Sequence, residues 1–334
     1  MTIRKSKRDM SKKQKSKGIT IANIVSLVGL VALLVFSFLG LVFKRGGEVG
    51  MSILLSVVIT LVGAFLLWLM IKAKGAENDL KMWRVVELSA VAAYVIFAVF
   101  ASWQGGLMHF FVVNEHKEAI KGYAEADFHK IDAMFAEFKS YEEQALTNTE
   151  NGLYSATGLD QRCSQALTEF IQGERMSATR DGVKNYKDKK KKDIDDYYNG
   201  RYNQFLSRKS KIGSAIDNWS VMRIAFNVDA IDRLAQQFAD ELTSKSEELR
   251  LPLIIRQTDG SYDIKGYQYS DFDVEGGVSS LQFRSAITGV TGFSIMAVVV
   301  ALLIHLIVLF NYFVAYRTLV VKGGGGDDGG IPLE

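Results

Sequence analysis

Apolar residues gather into four long tracts toward the two ends of the chain, and most of the charge lies between and outside them. Residues 19–43 and 51–71 contain no charged side chain, residues 85–103 contain only Glu87, and residues 290–316 contain only His305. A hydrocarbon core about 30 Å thick is crossed by about 20 predominantly apolar residues in a helix. Four membrane-spanning helices are therefore predicted at about 19–43, 51–71, 85–103 and 290–316. The first is too long for a signal-peptide core, and no small-x-small cleavage site precedes a polar start, so it should remain in the membrane.

Between the third and fourth tracts, residues 104–288 alternate as a soluble domain does. Ile120, Ala124, Phe128, Ile131, Phe135 and Phe138 recur every three or four residues, which predicts a helix with one buried face. Asn151 and Gly152 suggest a break over about 148–158. A second helix would then carry Leu159, Cys163, Leu167, Phe170 and Ile171, and end near Gly173. Residues 182–206 read as an exposed helix with an aromatic stripe of Tyr186, Tyr197, Tyr198, Tyr202 and Phe205. Ile231, Leu234, Ala235, Phe238 and Leu242 mark a last helix, ended by or just before Pro252. Around Asp259-Gly260 the pattern becomes short apolar runs, which predicts a small β-hairpin at about 253–269. The fold class is a membrane all-α protein with a mainly helical, coiled-coil-like outer domain and a hairpin near the last span.

Charge supplies orientation. The first 18 residues hold eight Lys and Arg, and the loop between the second and third tracts holds Lys72, Lys74, Lys81 and Arg84. Cations mark the cytoplasmic side, so both termini are expected in the cytoplasm and residues 104–288 outside it. The basic tail, poor in apolar residues, is expected to be disordered beside the anionic inner leaflet. After the last tract, residues 317–334 form a Gly-rich cytoplasmic tail ending in an apolar tip, where Ile331 and Leu333 could dock to a partner.

Candidate chemistry is sparse. No phosphate-binding Gly-rich loop, HExxH, CxxC or nucleophile elbow occurs in the 334 residues, so no catalytic residue, cofactor or metal is assigned. The single cysteine, Cys163, reads as a buried inert thiol. His109, His116 and His129 are spaced too widely for a compact ligand set. Asp271, Asp273 and Glu275 lack the central Gly and twelve-position loop of a calcium site. The basic run at 187–192 is followed by acids, which favours a solvated face over nucleic-acid binding.

His305 stands out, because an ionisable group deep in a membrane is costly and is by default a functional hypothesis. Glu87 is the sole acid within a predicted span, displaced toward the cytoplasmic side, so direct pairing with His305 is not expected. Ser89 with Ala93, Ala98 with Ser102, and Ala297 with Ala301 are small residues four apart, which suits close helix packing in a bundle or homo-oligomer.

These features point to a non-enzymatic scaffold that touches lipid and other envelope proteins. The alternative is a membrane sensor whose outer domain binds a ligand, although the tail after the last tract is too short for a signalling module. The order of parts, from the basic tail through the span pair to Ile71, the third span ending at Ala101-Ser102-Trp103, the helical domain and a last span leading to Tyr316-Arg317, resembles inner-membrane subunits of bacterial secretion machines. Among these it is similar to the TssN family of the Bacteroidetes type VI system. The resemblance implies an inner-membrane location and a trans-envelope complex anchoring a contractile injection apparatus.

Overall fold

A computed structural model of the chain describes residues 2–75, 80–157, 162–270, 280–290 and 294–315. In chain order the helices begin with α1 (Thr2–Lys44), α2 (Val49–Lys74), α3 (Leu80–Trp103), α4 (Leu107–Glu115), α5 (Lys117–Thr157) and α6 (Gln165–Gly173). They continue with α7 (Arg180–Asp217), α8 (Val221–Ala225) and α9 (Ala230–Leu249), then strands β1 (Leu251–Arg256) and β2 (Tyr262–Gln268). The described chain closes with α10 (Phe283–Thr288), α11 (Ile295–Val308) and α12 (Phe310–Val314). Two compact units result, Met1–Lys117 with Ile287–Glu334, and Glu118–Ala286.

In the first unit, three stretches are long and apolar enough to cross a membrane: Ile21–Lys44, Val49–Lys74 and Met82–Glu115. Their burial runs opposite to that of a water-soluble bundle. Ser26, Ser37, Ser52 and Ser56 are buried, while Leu61 is 63% exposed and Ile96 71% exposed. Large aliphatic side chains face outward because the surrounding solvent is as apolar as they are, and small residues face inward so that backbones approach. The buried positions of α2, Ser52, Ser56, Ile59, Gly63, Leu67 and Met70, recur every three or four residues and trace one seam.

Three expectations change in this unit. The basic tail is not a separate coil, since α1 begins at Thr2 and carries the tail into the first span as one helix. Lys, Arg and Met favour helix, and extending an existing helix avoids the cost of nucleation. The third tract does end at Trp103, but a new apolar helix, α4, starts four residues later. It packs on α1 where two glycines meet: a Cβ on Gly40 would fall 1.8 Å from the Gly106 carbonyl oxygen, and Gly106 itself has φ of +83°. Phe110 of α4 then meets Phe36 and Phe43, with centroids at 5.1 and 6.2 Å. In the fourth tract the helix is divided. The 14 residues of α11 extend about 21 Å, short of a full crossing, and the five-residue α12 follows.

The second unit packs α5, α7 and α9 around aromatic rings. Phe135 lies 5.5 Å from Tyr202, 5.5 Å from Phe205 and 5.2 Å from Phe238, centroid to centroid. All six residues proposed for the buried face of the first outer helix are buried, as are those proposed for the last. The hairpin is present: β1 and β2 pair antiparallel with a bulge between Leu253 and Ile254, turning through Gly260 at φ +84°. The expected break at 148–158 is absent up to Thr157, because Gly152 serves helix–strand contact and not a turn; a Cβ there would lie 2.7 Å from Ile254 Cβ. The second helix is correspondingly shorter, starting at Gln165, with Cys163 half-buried in a bridge to Tyr262 and Leu159 outside the described residues. Pro252 sits inside β1, where its carbonyl accepts from the Thr149 hydroxyl at 2.8 Å. The basic run is not uniformly solvated either: Lys190 is buried, paired with Glu174 at 3.1 Å, and donates to the Leu249 carbonyl that ends α9.

Two fully buried carboxylates tie elements of this unit together. Asp127 on α5 accepts the backbone N–H groups of Gln282 and Phe283 at 2.7 Å each, fixing the start of α10, and pairs with Lys130 at 3.1 Å. Glu142 on α5 accepts with Oε1 from the Ser246 hydroxyl of α9 and from the Ser270 hydroxyl, while its Oε2 finds no partner among the described residues. Burial raises the Glu142 pKa above the ordinary carboxyl value, against the opposing effect of the two hydroxyl bonds. Below the ordinary value the carboxyl is protonated both folded and unfolded, so burial costs nothing; the cost enters as pH climbs through the raised value. Glu142→Gln should therefore match the wild type near pH 4 and exceed it at pH 8 by on the order of 1 kcal/mol. Hydrogen exchange of α5 and α9 amides in the full-length protein checks this, and a Gln variant equally or less protected at pH 8 would contradict it.

Candidate functional site

Among the intramembrane candidates, the structure gives His305 the most elaborate surroundings. It lies on the buried face of α11 with Ala297, Ala301, Ile304 and Val308, and is only 4% exposed. The helix begins with Ser294, whose hydroxyl accepts from the Ala297 N–H and caps the first turn. Facing it, α3 presents Ala90, Tyr94, Phe97 and Ala101 as its buried stripe.

Both imidazole nitrogens have partners. The Tyr94 hydroxyl is 3.2 Å from Nδ1, and the Ser102 hydroxyl is 3.3 Å from Nε2. A neutral imidazole carries one donor and one acceptor nitrogen. A phenol is a stronger donor than an alcohol, which favours the tautomer in which Tyr94 donates to Nδ1 and Nε2–H donates to Ser102 Oγ. In that tautomer the imidazole does not use the hydroxyl hydrogen of Ser102. The Tyr94 and Phe97 rings stand edge-on to the imidazole, at 84° and 88°. No acid is in the relay, which suits a neutral, packed histidine and supplies no proton acceptor of high affinity.

A cavity of about 320 Å³ borders this relay. Tyr94, Ala301 and His305 form a floor that is 2–4% exposed, whereas Val99, Leu302 and Leu306 on the rim are 66%, 57% and 51% exposed. The opening therefore faces the outer surface of the helices between α3 and α11.

Glu87 occupies a different place. It is buried on α3 and accepts the Tyr312 hydroxyl of α12 at 2.8 Å, while Lys74 of α2 donates to the Tyr312 carbonyl at 2.7 Å and lies 4.6 Å over its ring. Tyr312 thus joins α2, α3 and α12, and the backbone N–H of Asn311 reaches Ser26 on α1 at 2.9 Å. As expected, Glu87 and His305 belong to separate clusters.

The small-residue pairs divide. Ala297 and Ala301 are buried, and Ala98 and Ser102 are half-buried against the cluster that contains Tyr94 and Phe97. Ser89 and Ala93 are exposed, which corrects the expectation for that pair as far as packing within the chain's own bundle goes: the packing stripe of α3 there is offset by one residue, through Ala90 and Tyr94. Spacing alone could not choose between neighbouring stripes, because alanines lie on both. Tyr94 was not singled out by sequence, since an aromatic in an apolar helix carries no signal of a hydrogen bond. Ile331, Leu333, Asp271, Asp273 and Glu275 lie outside the described residues. Among the described residues no three His, Cys, Asp or Glu side chains converge as a metal site would require.

Comparison of the chain with protein-family models, with curated proteins and with solved structures returns no match. What the helices establish is a multi-pass membrane protein carrying a helical unit with a two-stranded sheet.

The relay predicts unequal effects of two substitutions. His305→Phe strands the buried Tyr94 hydroxyl and should lower thermal stability in detergent by about 1–3 kcal/mol. His305→Gln keeps a donor and an acceptor and should lose less than half of that. Equal losses would show that the hydrogen bonds contribute nothing beyond packing.

Proposed function

We propose that the chain is a non-enzymatic scaffold or assembly subunit of a bacterial cell-envelope complex in the inner membrane, of the type VI secretion kind. In this reading α11 and α12 together make the fourth crossing, both termini are cytoplasmic, and the Glu118–Ala286 unit is periplasmic. The observation that supports it is that apolar helices flank that unit in the chain on both sides, the Met82–Glu115 stretch before it and the shorter α11 after it. With α11 in the membrane, such a unit would be held at the membrane surface, and its long helices offer extended faces to partners. At 41 and 38 residues, α5 and α7 run about 60 Å. Their outward positions are charged, as in a surface suited to reversible, oriented protein contact more than to catalysis.

The positive-inside distribution supports the orientation, with cations in the first tail and between α2 and α3. A second reading, a sensor, is favoured by one feature: a groove of about 730 Å³ between α5 and α7, walled by Lys121, His129, Lys209 and Asp217 over Phe128.

Gentle detergent solubilisation and affinity capture of the full-length chain from its native membranes separates the readings. The scaffold predicts protein partners that persist through size exclusion with fixed stoichiometry. A monodisperse chain without partners, stabilised instead by a small solute, would reverse the ranking.

A further inference from the structure

The geometry points to the cavity between α3 and α11 as a binding site for one anionic membrane phospholipid, its acyl chain in the cavity, its ester carbonyl at Ser102 and its phosphate at Lys44. This inference needs α11 to lie in the bilayer but is independent of the scaffold role.

Three observations converge on that occupant. First, the cavity opens sideways at residues whose exposure only hydrocarbon can satisfy, so what enters comes from the bilayer and not from water. Second, the lining carries no formal charge, and its polar groups are few: the Tyr94–His305–Ser102 relay, in which the Ser102 hydroxyl is left to donate when Nε2–H donates to it, and the Trp103 indole at the opening. A chain that presents a single carbonyl acceptor next to an apolar tail matches that lining. Water would have to enter a space walled almost wholly by aliphatic groups, where it lacks the two to four polar partners it needs.

Third, a cation is hydrogen-bonded to the residue that follows the rim. Trp103 lines the opening, and the next residue, Gln104, accepts from Lys44 Nζ at 3.1 Å. That acceptor is neutral, and Lys44 has no acidic partner among the described residues, whereas its neighbour Arg45 is paired with Glu48 at 2.7 Å. A cation at a helix end without an internal counter-ion complements a lipid phosphate. Trp103, with its amphipathic ring at the same level, suits the headgroup boundary. The histidine acts as a positioning residue here: it turns Ser102 into a donor aimed outward, and it does not itself touch the lipid.

The test uses the full-length protein in vesicles of phosphatidylethanolamine and phosphatidylglycerol, doped with phosphatidylglycerol bearing a diazirine near the acyl carbonyl. After irradiation, label should concentrate on residues 95–103 and 298–309. Leu302→Trp on the exposed rim and Ala98→Phe inside should each cut that label at least fivefold, since both fill the space; Leu61→Trp, on an exposed face of α2, should not. Ser102→Ala should reduce it about fivefold, the worth of one hydrogen bond. Lys44→Gln should abolish the advantage of the glycerol headgroup over an ethanolamine-headgroup probe. Because Leu302 is more than half exposed, its variant tests the site even if Ala98→Phe does not fold. Label spread evenly over the outward faces of α1, α2 and α3, or unchanged in Leu302→Trp, overturns the site. Equal headgroup preference in wild type and Lys44→Gln overturns the anionic phospholipid as its occupant.

Discussion

The constraint behind this structure is apolar surface that the protein itself leaves uncovered. Many Leu, Ile, Val and Phe side chains on α1, α2, α3 and α11 stand half or more exposed, among them Leu88 and Ile295 above 70%, while Ser26, Ser37, Ser52 and Ser56 are turned inward. At about 25 cal/mol per Å² of apolar area, no soluble chain of this size tolerates that exposure. Hydrocarbon must cover it. Once it does, apolar burial no longer drives the helices together, and what remains is close packing and hydrogen bonding. Hence the Gly40–Gly106 contact, and hence the polar joints at His305 and Tyr312.

Each joint answers the same difficulty in a different way. At His305 the imidazole stays neutral and spends both nitrogens on hydroxyls across the helix interface. At Tyr312 a phenol and a carbonyl of one residue receive a carboxylate from α3 and an ammonium from α2. In the second unit aromatic layers supply the cohesion and buried carboxylates are used sparingly. Asp127 is satisfied by two backbone donors and a lysine; Glu142 takes two hydroxyl bonds on one oxygen, and burial raises its pKa despite them.

Much of the architecture was legible in the amino-acid order because solvent imposes a period. The first three spans, the buried face from Ile120 to Phe138, the face from Ile231 to Leu242 and the Asp259-Gly260 hairpin all follow from length, helical spacing or turn chemistry. What was not legible depended on contacts distant in sequence. Gly152 reads as a breaker until Ile254 is seen against it. Lys190 looks solvated until Glu174 and the end of α9 meet it. The stripe of α3 used for packing was misplaced by one residue, because Ala and Ser occur on adjacent faces and only Tyr94 and Phe97 decide between them. Of the intramembrane site, His305 announced itself by its cost in lipid; its partners Tyr94 and Ser102, and the cavity beside them, belong to geometry alone.

The account stands on which side of the membrane holds the helical unit. Gly200 of α7 is exposed, with nothing within 4 Å of the position a Cβ would take, so a cysteine there disturbs little. In a Cys163→Ser background, Gly200→Cys should react with a membrane-impermeant maleimide in intact spheroplasts, as fully as after lysis. Protection until the inner membrane is broken would put the unit in the cytoplasm and contradict the proposed topology and the envelope scaffold together.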